Sequence, residues 1–347
     1  MKHITPYILV LLFILFTASI NQPVLQQVAT TTPRPTATTV PTLSADLFRN
    51  PVLDRDFPDP DVLQVGDTYY AYSTNSDDIN IQVARSTDLV HWEFLGEALP
   101  ALPDWAVQDF GWVWAPDVST PDDGETYLMY FTARFAIEEG GSQCIGAATS
   151  DSPMGPFVAA GDEPFICQVN LGGSIDPSSF VDDDGTRYVL WKNDGNCCGG
   201  QTWIYIQQTS SDGLTLEGEP TRLMTADEVW EGILVEAPTL WRHDDQYFLF
   251  YSANDYLSPN YAIGYAVADD VLGPYIKPEP IPFLETSIRD GIVSPGGQDI
   301  VLDAEGESWM IYHTWSGGSY RPMNLIALQW TDGIPMVTPS REPQAVP

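Results

Sequence analysis

Apolar and polar positions alternate in short bursts along this chain, and no stretch holds a 3.6-residue apolar period over three turns without a Gly or Pro interrupting it. Long amphipathic helices are therefore not expected. Five aromatic-rich runs of strand length stand out instead: TYYAYST from Thr68, TYLMYFTA from Thr126, RYVLWKN from Arg187, QYFLFYSAN from Gln246 and SWMIYHTW from Ser308. Their leading aromatics, Tyr69, Tyr127, Tyr188, Tyr247 and Trp309, follow one another at 58, 61, 59 and 62 residues, a period near sixty. Each run is preceded by a tight Asp/Gly-rich turn of the kind short hairpins require, such as DDDGT before Tyr188. A second recurring signal, ARSTDLVHW from Ala84, ATSDSPMGPF from Ala148, QTSSDGLTL from Gln208 and AVADDVLGPY from Ala266, marks further strands in the same unit. A lone unit could not cover both faces of its sheet, whereas a closed ring of such sheets leaves few exposed edges. The pattern predicts an all-β fold, a five-bladed β-propeller, over residues 46–347.

About ten to twelve residues ahead of each marker aromatic lies the segment expected to form the innermost strand. Its polar residues are Asp59 in DFPDPDV, Asp117 in WAPDV, Asp176 in GSIDPSS, Glu236 in LVEAPTL and Gln298 in PGGQDIV, and the similar offsets assign them equivalent places in the five units. In a surface loop each would be an ordinary turn or cap residue. On strands lining a narrow channel, carboxylates among prolines and apolar residues are costly unless they are paired or used. Two acids facing each other across a pocket, one of which keeps its proton, are what glycosidic hydrolysis requires.

Composition narrows the partners. With 48 acidic and 14 basic residues the formal net charge is -34, which repels nucleic acid and anionic membranes and leaves a neutral polymer compatible. The same acidity also serves solubility. Residues 1–21 combine Lys2 and His3, an apolar run over 7–16 and the small Ala18 and Ser19, so they are expected to be a signal peptide or an N-terminal anchor. Residues 22–45 include ATTTPRPTATTVPT, a Thr/Pro-rich linker that cannot bury apolar surface. The expected location is therefore secreted or cell-surface, with a monomer as the default state. In an exported chain the four cysteines suggest disulfides, Cys144 with Cys167 by proximity. Cys197 and Cys198 are open to a vicinal bridge, to pairing elsewhere or to staying reduced.

The segments RDFPDPDVLQVGDTYYAYST, WAPDVSTPDDGETYLMYFTA, GSIDPSSFVDDDGTRYVLWK and VEAPTLWRHDDQYFLFYS resemble glycoside hydrolase family 43, the inverting furanosidase and xylosidase propellers, over nearly the whole chain from Asn50 onward. The resemblance implies Asp59 as general base, in PDP rather than at Asp56 or Asp61, Glu236 as general acid and Asp176 as the carboxylate that holds the acid's pKa and orientation. It also implies that Arg321, in RPMNLIALQW, lies against the substrate; a structural ion pair is the competing role. Trp114, and less so Trp112, offers a ring for sugar stacking or for blade packing. Many members carry a His in the fifth inner strand, linked to a calcium ion or water in the channel, where this chain has Gln298. No cofactor is called for, with a channel calcium left open, and His313 reads as blade packing.

The expected partner is a plant cell-wall polysaccharide or oligosaccharide, and the expected activity releases L-arabinofuranose from arabinan or arabinoxylan. A β-xylosidase using the same carboxylates, a retaining fructan hydrolase and a non-catalytic carbohydrate-binding propeller are the alternatives. Linkage preference is set by loops such as residues 77–81, 136–142 and 193–200, the last holding GNCCGG.

Overall fold

The computed structural model describes residues 47–121, 124, 126–136 and 141–347; the leader and the Thr/Pro linker lie outside the described residues. Five antiparallel sheets follow in chain order, as the sixty-residue period predicts. The first is Asp61–Val65, Thr68–Ser73, Gln82–Ser86 and Glu93–Glu97; the second Val113–Ser119, Tyr127–Arg134, Gln143–Ser150 and Val158–Ala159; the third Ser174–Val181, Arg187–Asn193, Trp203–Thr209 and Leu216–Thr225. The fourth is Val235–His243, Gln246–Ala253 and Ala262–Ala268, with Ile276 bridged to Val267 at its outer edge, and the fifth Gly296–Leu302, Ser308–His313 and Met323–Ala327. The only helical turns among the described residues are three short 3-10 segments.

The aromatic runs are apolar on both sides because each second strand faces two neighbouring blades. In blade 2, Met129 and Phe131 point into the cluster shared with Tyr72 and Val83 of blade 1, while Leu128 and Tyr130 meet Val189 and Trp191 of blade 3. Blade 4 repeats the alternation, with Leu249 and Tyr251 packed on blade 3 and Phe248 and Phe250 on blade 5. A fifth cluster joins Trp309 and Ile311 of blade 5 to Tyr69 and Ala71 of blade 1, so the ring closes. Closure also uses the segment ahead of blade 1. Val52 N–H donates to Met323 O, and Asn50 exchanges two side-chain hydrogen bonds with the backbone of Leu325, extending blade 5 by a strand-like edge. Cys144 is bonded to Cys167, as proximity suggested, and Cys197 to its neighbour Cys198.

The register corrects one expectation. The inner strands of blades 2 to 5 each carry a bulge, between Trp114 and Asp117, Ile175 and Ser178, Glu236 and Thr239, and Gly296 and Asp299. The resulting equivalence sets Asp59, Ala115, Asp176, Ala237 and Gly297 at one level, all with positive φ between 41° and 54°. Glu236 stands one residue earlier, level with Trp114, and Asp117 two residues deeper, level with Asp61 and Asp299. Gln298 takes the place that Pro60, Pro116, Pro177 and Pro238 hold in the other blades. Counting back from a marker aromatic misses these shifts because the connecting turns differ in length.

Candidate active site

Asp59, Asp176 and Glu236 are brought together at one mouth of the channel, where inner strands begin and second strands end. Asp59 is fixed from three sides. The Thr74 hydroxyl donates to its Oδ2 at 2.7 Å, its backbone N–H donates to His313 Nδ1 at 3.1 Å, and Arg321 Nη1 lies 3.6 Å from Oδ1. Burial works to raise the Asp59 pKa, but Arg321 and the Thr74 hydrogen bond outweigh it and hold the carboxyl below its ordinary range, so it is ionised. Only glycine fits at 297: a Cβ there would come within 2.7 Å of both Asp59 Oδ1 and His313 Nδ1.

Glu236 is held on the far side. Lys192 Nζ donates to Oε2 at 2.9 Å and the Tyr261 hydroxyl to Oε1 at 2.7 Å. Lys192 is fully buried; desolvation opposes its charge, yet Glu236, Asp176 and Asp194 more than restore it. Tyr261 is raised well above its ordinary value by burial and by Glu236 and Asp59, so it remains a donor. Asp176 accepts the Ala237 N–H at 3.0 Å and is pushed up to about 7, first by burial and then by the neighbouring Glu236 carboxylate. Asp176 therefore keeps its proton up to near neutrality while Asp59 does not. A chain of contacts spans the two sides: Tyr261 bonds Glu236, and its ring stacks on His313 with centroids 6.1 Å apart.

Several residues depart from their expected roles. His313 is buried, as a packing residue would be, but it touches Asp59; burial lowers its pKa to about 3, so the neutral ring accepts the Asp59 N–H. Gln298, expected to meet substrate, is 4% exposed and faces the protein. Its amide donates to Ala237 O at 2.7 Å and its oxygen accepts from Ser252 at 2.9 Å, bracing blade 4 against blade 5. A calcium ion at Gln298 would have to compete with that Ser252 bond, and no cluster of three His, Cys, Asp or Glu among the described residues suits a metal. Arg321 pairs with Asp59, the ion pair weighed for it, and lies over the rings of Tyr256 and Trp315 at 5.3 and 5.8 Å. Trp114 is half-buried on the rim, tilted against Trp112 at 6.2 Å, with its Nε1 on Gly111 O.

Sequence reasoning missed Lys192, Tyr261 and Thr74. The signal for Lys192 was a cation inside the otherwise apolar run YVLWKN, a position no isolated Lys tolerates without a carboxylate partner.

Comparison with known proteins fits this arrangement. The sequence profile of glycosyl hydrolases family 43 matches residues 48–335. A Vibrio protein named xylan 1,3-beta-xylosidase is 30% identical over 280 residues, covering 77% of this chain and 49% of that one. An extracellular endo-alpha-(1->5)-L-arabinanase 1 from Bacillus subtilis (strain 168) is 25% identical over 299 residues, covering 80% of this chain and 86% of its own. This chain thus spans about half the length of the Vibrio relative. Among solved structures, a thermostable family-43 glycoside hydrolase superposes with a TM-score of 0.78 at 34% identity, over 86% of this chain and 99% of that one.

Proposed function

This chain belongs to glycosyl hydrolases family 43, and from that premise we propose that it is an inverting, extracytoplasmic hydrolase that releases L-arabinofuranose from arabinan or arabinoxylan. Asp59 takes a proton from the water that attacks the anomeric carbon, and Glu236 gives a proton to the departing oxygen on the opposite face. Asp176 is a positioning residue: it accepts the Ala237 N–H, next to the acid, and its carboxyl, pushed up to about 7 by burial and by Glu236, is the acid's immediate neighbour. Arg321 keeps the base ionised and offers its guanidinium to sugar hydroxyls.

The observation that carries the reading is the division of labour across the mouth. Asp59 on blade 1 is held ionised, Asp176 on blade 3 keeps its proton up to about 7, and Tyr261, bonded to Glu236 of blade 4, stacks on the His313 that accepts the Asp59 N–H. Inverting catalysis divides its work in this way between an ionised base and a proton donor. A relative from Cellvibrio japonicus (strain Ueda107), named extracellular exo-alpha-(1->5)-L-arabinofuranosidase ArbA and 26% identical over 293 residues, supports the arabinose and export readings. A β-xylosidase is the second reading, favoured by the name of the Vibrio relative.

The test is turnover of aryl α-L-arabinofuranoside and aryl β-xyloside by the wild type and by Glu236→Ala, with the first-released anomer read by NMR. Arabinoside turnover with inversion, lost by at least about a thousandfold in the variant, is expected. Preference for the xyloside selects the second reading, retention of configuration rules out the mechanism, and no turnover of these substrates, arabinan or arabinoxylan points to a binding module.

A further inference from the structure

Next to the acid, blade 4 displays apolar side chains where a soluble surface has no use for them. Val229 is 99% exposed, Ile233 76% and Leu257 65%. The turn that carries the first two is not loose. Between them Glu231 is fully buried, and its carboxylate accepts from the backbone N–H groups of Asp227 and Glu228, from the Tyr251 hydroxyl and from Lys277. Asn254 ties the turn to the neighbouring loop: its side-chain amide donates to Trp230 O at 2.9 Å and its backbone N–H to Glu231 O at 3.0 Å. Apolar groups on so fixed a support form a preorganised contact surface.

Val229 also lines a groove together with Trp230, Asn254, Asn260 and Glu285. The Trp230 ring stacks on Tyr251, and its indole N–H is buried without a protein acceptor. Exposed aliphatic side chains, an aromatic ring and side-chain amides are the chemistry that meets a sugar ring, whose faces are C–H and whose edges are hydroxyls. Position selects the end of the sugar chain. Val229 and Ile233 lead directly into the strand that carries Glu236, and Asn260 precedes Tyr261, whose hydroxyl bonds that acid. The acid protonates the leaving oxygen, so whatever lies beyond it on blade 4 meets the departing chain.

We propose that the blade-4 rim formed by Val229, Trp230, Ile233 and Leu257 is the subsite for the leaving-group portion of a neutral pentose polymer. The proposal rests on the hydrolase reading for its direction, but binding can be measured without turnover. A strongly acidic protein suits an uncharged occupant.

The experiment compares wild type with the double variant Val229→Ser/Ile233→Ser and with Leu257→Ser, all at solvent-facing positions. Arabino-oligosaccharides and xylo-oligosaccharides are the substrates, and free arabinose and xylose, which carry no leaving group, are the competitive inhibitors. Losing two aliphatic contacts should raise KM for the oligosaccharide about tenfold, leaving kcat unchanged and inhibition by the monosaccharide within about twofold. In parallel, affinity electrophoresis through arabinan and arabinoxylan is run on Glu236→Gln with and without the rim substitutions. Retardation that disappears with the rim substitutions supports the subsite even if no substrate is turned over, so failure of the catalytic reading shows separately, in the wild-type aryl glycoside assay. Equal oligosaccharide KM and equal retardation in all proteins would overturn it. So would a parallel loss of inhibition by the monosaccharide, or a concentration-dependent dimer that the rim substitutions abolish while polymer binding persists.

Discussion

A carboxylate that must stay ionised in a half-buried site depends on what outweighs its desolvation, and at Asp59 one neutral donor contributes measurably. Thr74 donates to Asp59 Oδ2 and accepts the Ala115 N–H, so Thr74→Val removes both bonds at nearly constant volume. The Asp59 pKa should rise, moving the acid limb of the kcat/KM profile to higher pH, so that the rate falls more at pH 4 than at pH 6; an unmoved limb would show that Thr74 only packs. Lys192 acts on the other limb. Because its charge lowers Asp176, Lys192→Met should push the Asp176 proton loss above the present value of about 7, shifting the alkaline limb upward while kcat falls at the optimum. A downward shift would contradict the assignment. The acids themselves were legible because Asp and Glu in Pro-flanked inner strands have few structural uses. His313 and Lys192 were not, since their function appears only when the tail of one blade's second strand meets the head of the next blade's inner strand.

At the scale of the strand, the bulge re-aims the inner-strand side chains. By admitting one extra residue it turns Asp176 toward Ala237 and lets Glu236 stand above the level of Asp59. The bulged position in blades 2 to 5, like Asp59 at the same level in blade 1, lies in the left-handed region, and Ala115, with φ of 41°, carries a Cβ there without catalytic need. Ala→Gly in an ordinary strand costs about 0.5–1 kcal/mol, whereas a non-glycine residue in this region carries about 1–2 kcal/mol of strain. The second effect is larger, so Ala115→Gly should raise the unfolding free energy by about 0.5 kcal/mol in a denaturant titration; a loss of the usual size would mean that the backbone there is unstrained. The sequence could not reveal this register, because a bulge leaves the hydrophobic alternation of the partner strand unchanged, and the offsets from Tyr127 and Trp309 absorbed the extra residue unnoticed.

Across the whole molecule, five clusters between blades hold the ring, and a deeper tier of acids stitches it along the channel. Asp299 of blade 5 accepts the Val62 N–H of blade 1, Asp61 the Val118 N–H of blade 2, and Asp117 the Ser179 N–H of blade 3. Ring number and order were readable from the repeat, since each blade's period is long enough to survive insertions; these inter-blade bonds were not, because they join residues some sixty or more apart. The three acids crowd one another, and burial followed by mutual repulsion raises Asp61 well above its ordinary range and brings Asp299 to about 7. The folded Asp299 thus keeps its proton up to about 7, whereas an unfolded Asp releases it near 4. Between those values the native state binds more protons than the unfolded one, so this group's contribution is complete below pH 4 and declines as the pH rises to 7. Asp299→Asn retains the oxygen that accepts Val62 N–H and removes the charge. The variant should melt about 3 °C higher than wild type at pH 7.5, corresponding to about 1 kcal/mol once water in the channel is allowed for, and no higher at pH 4. A gain equal at both pH values would trace the effect to packing, and a loss at pH 7.5 would mean that the ionised carboxylate is what joins blade 5 to blade 1.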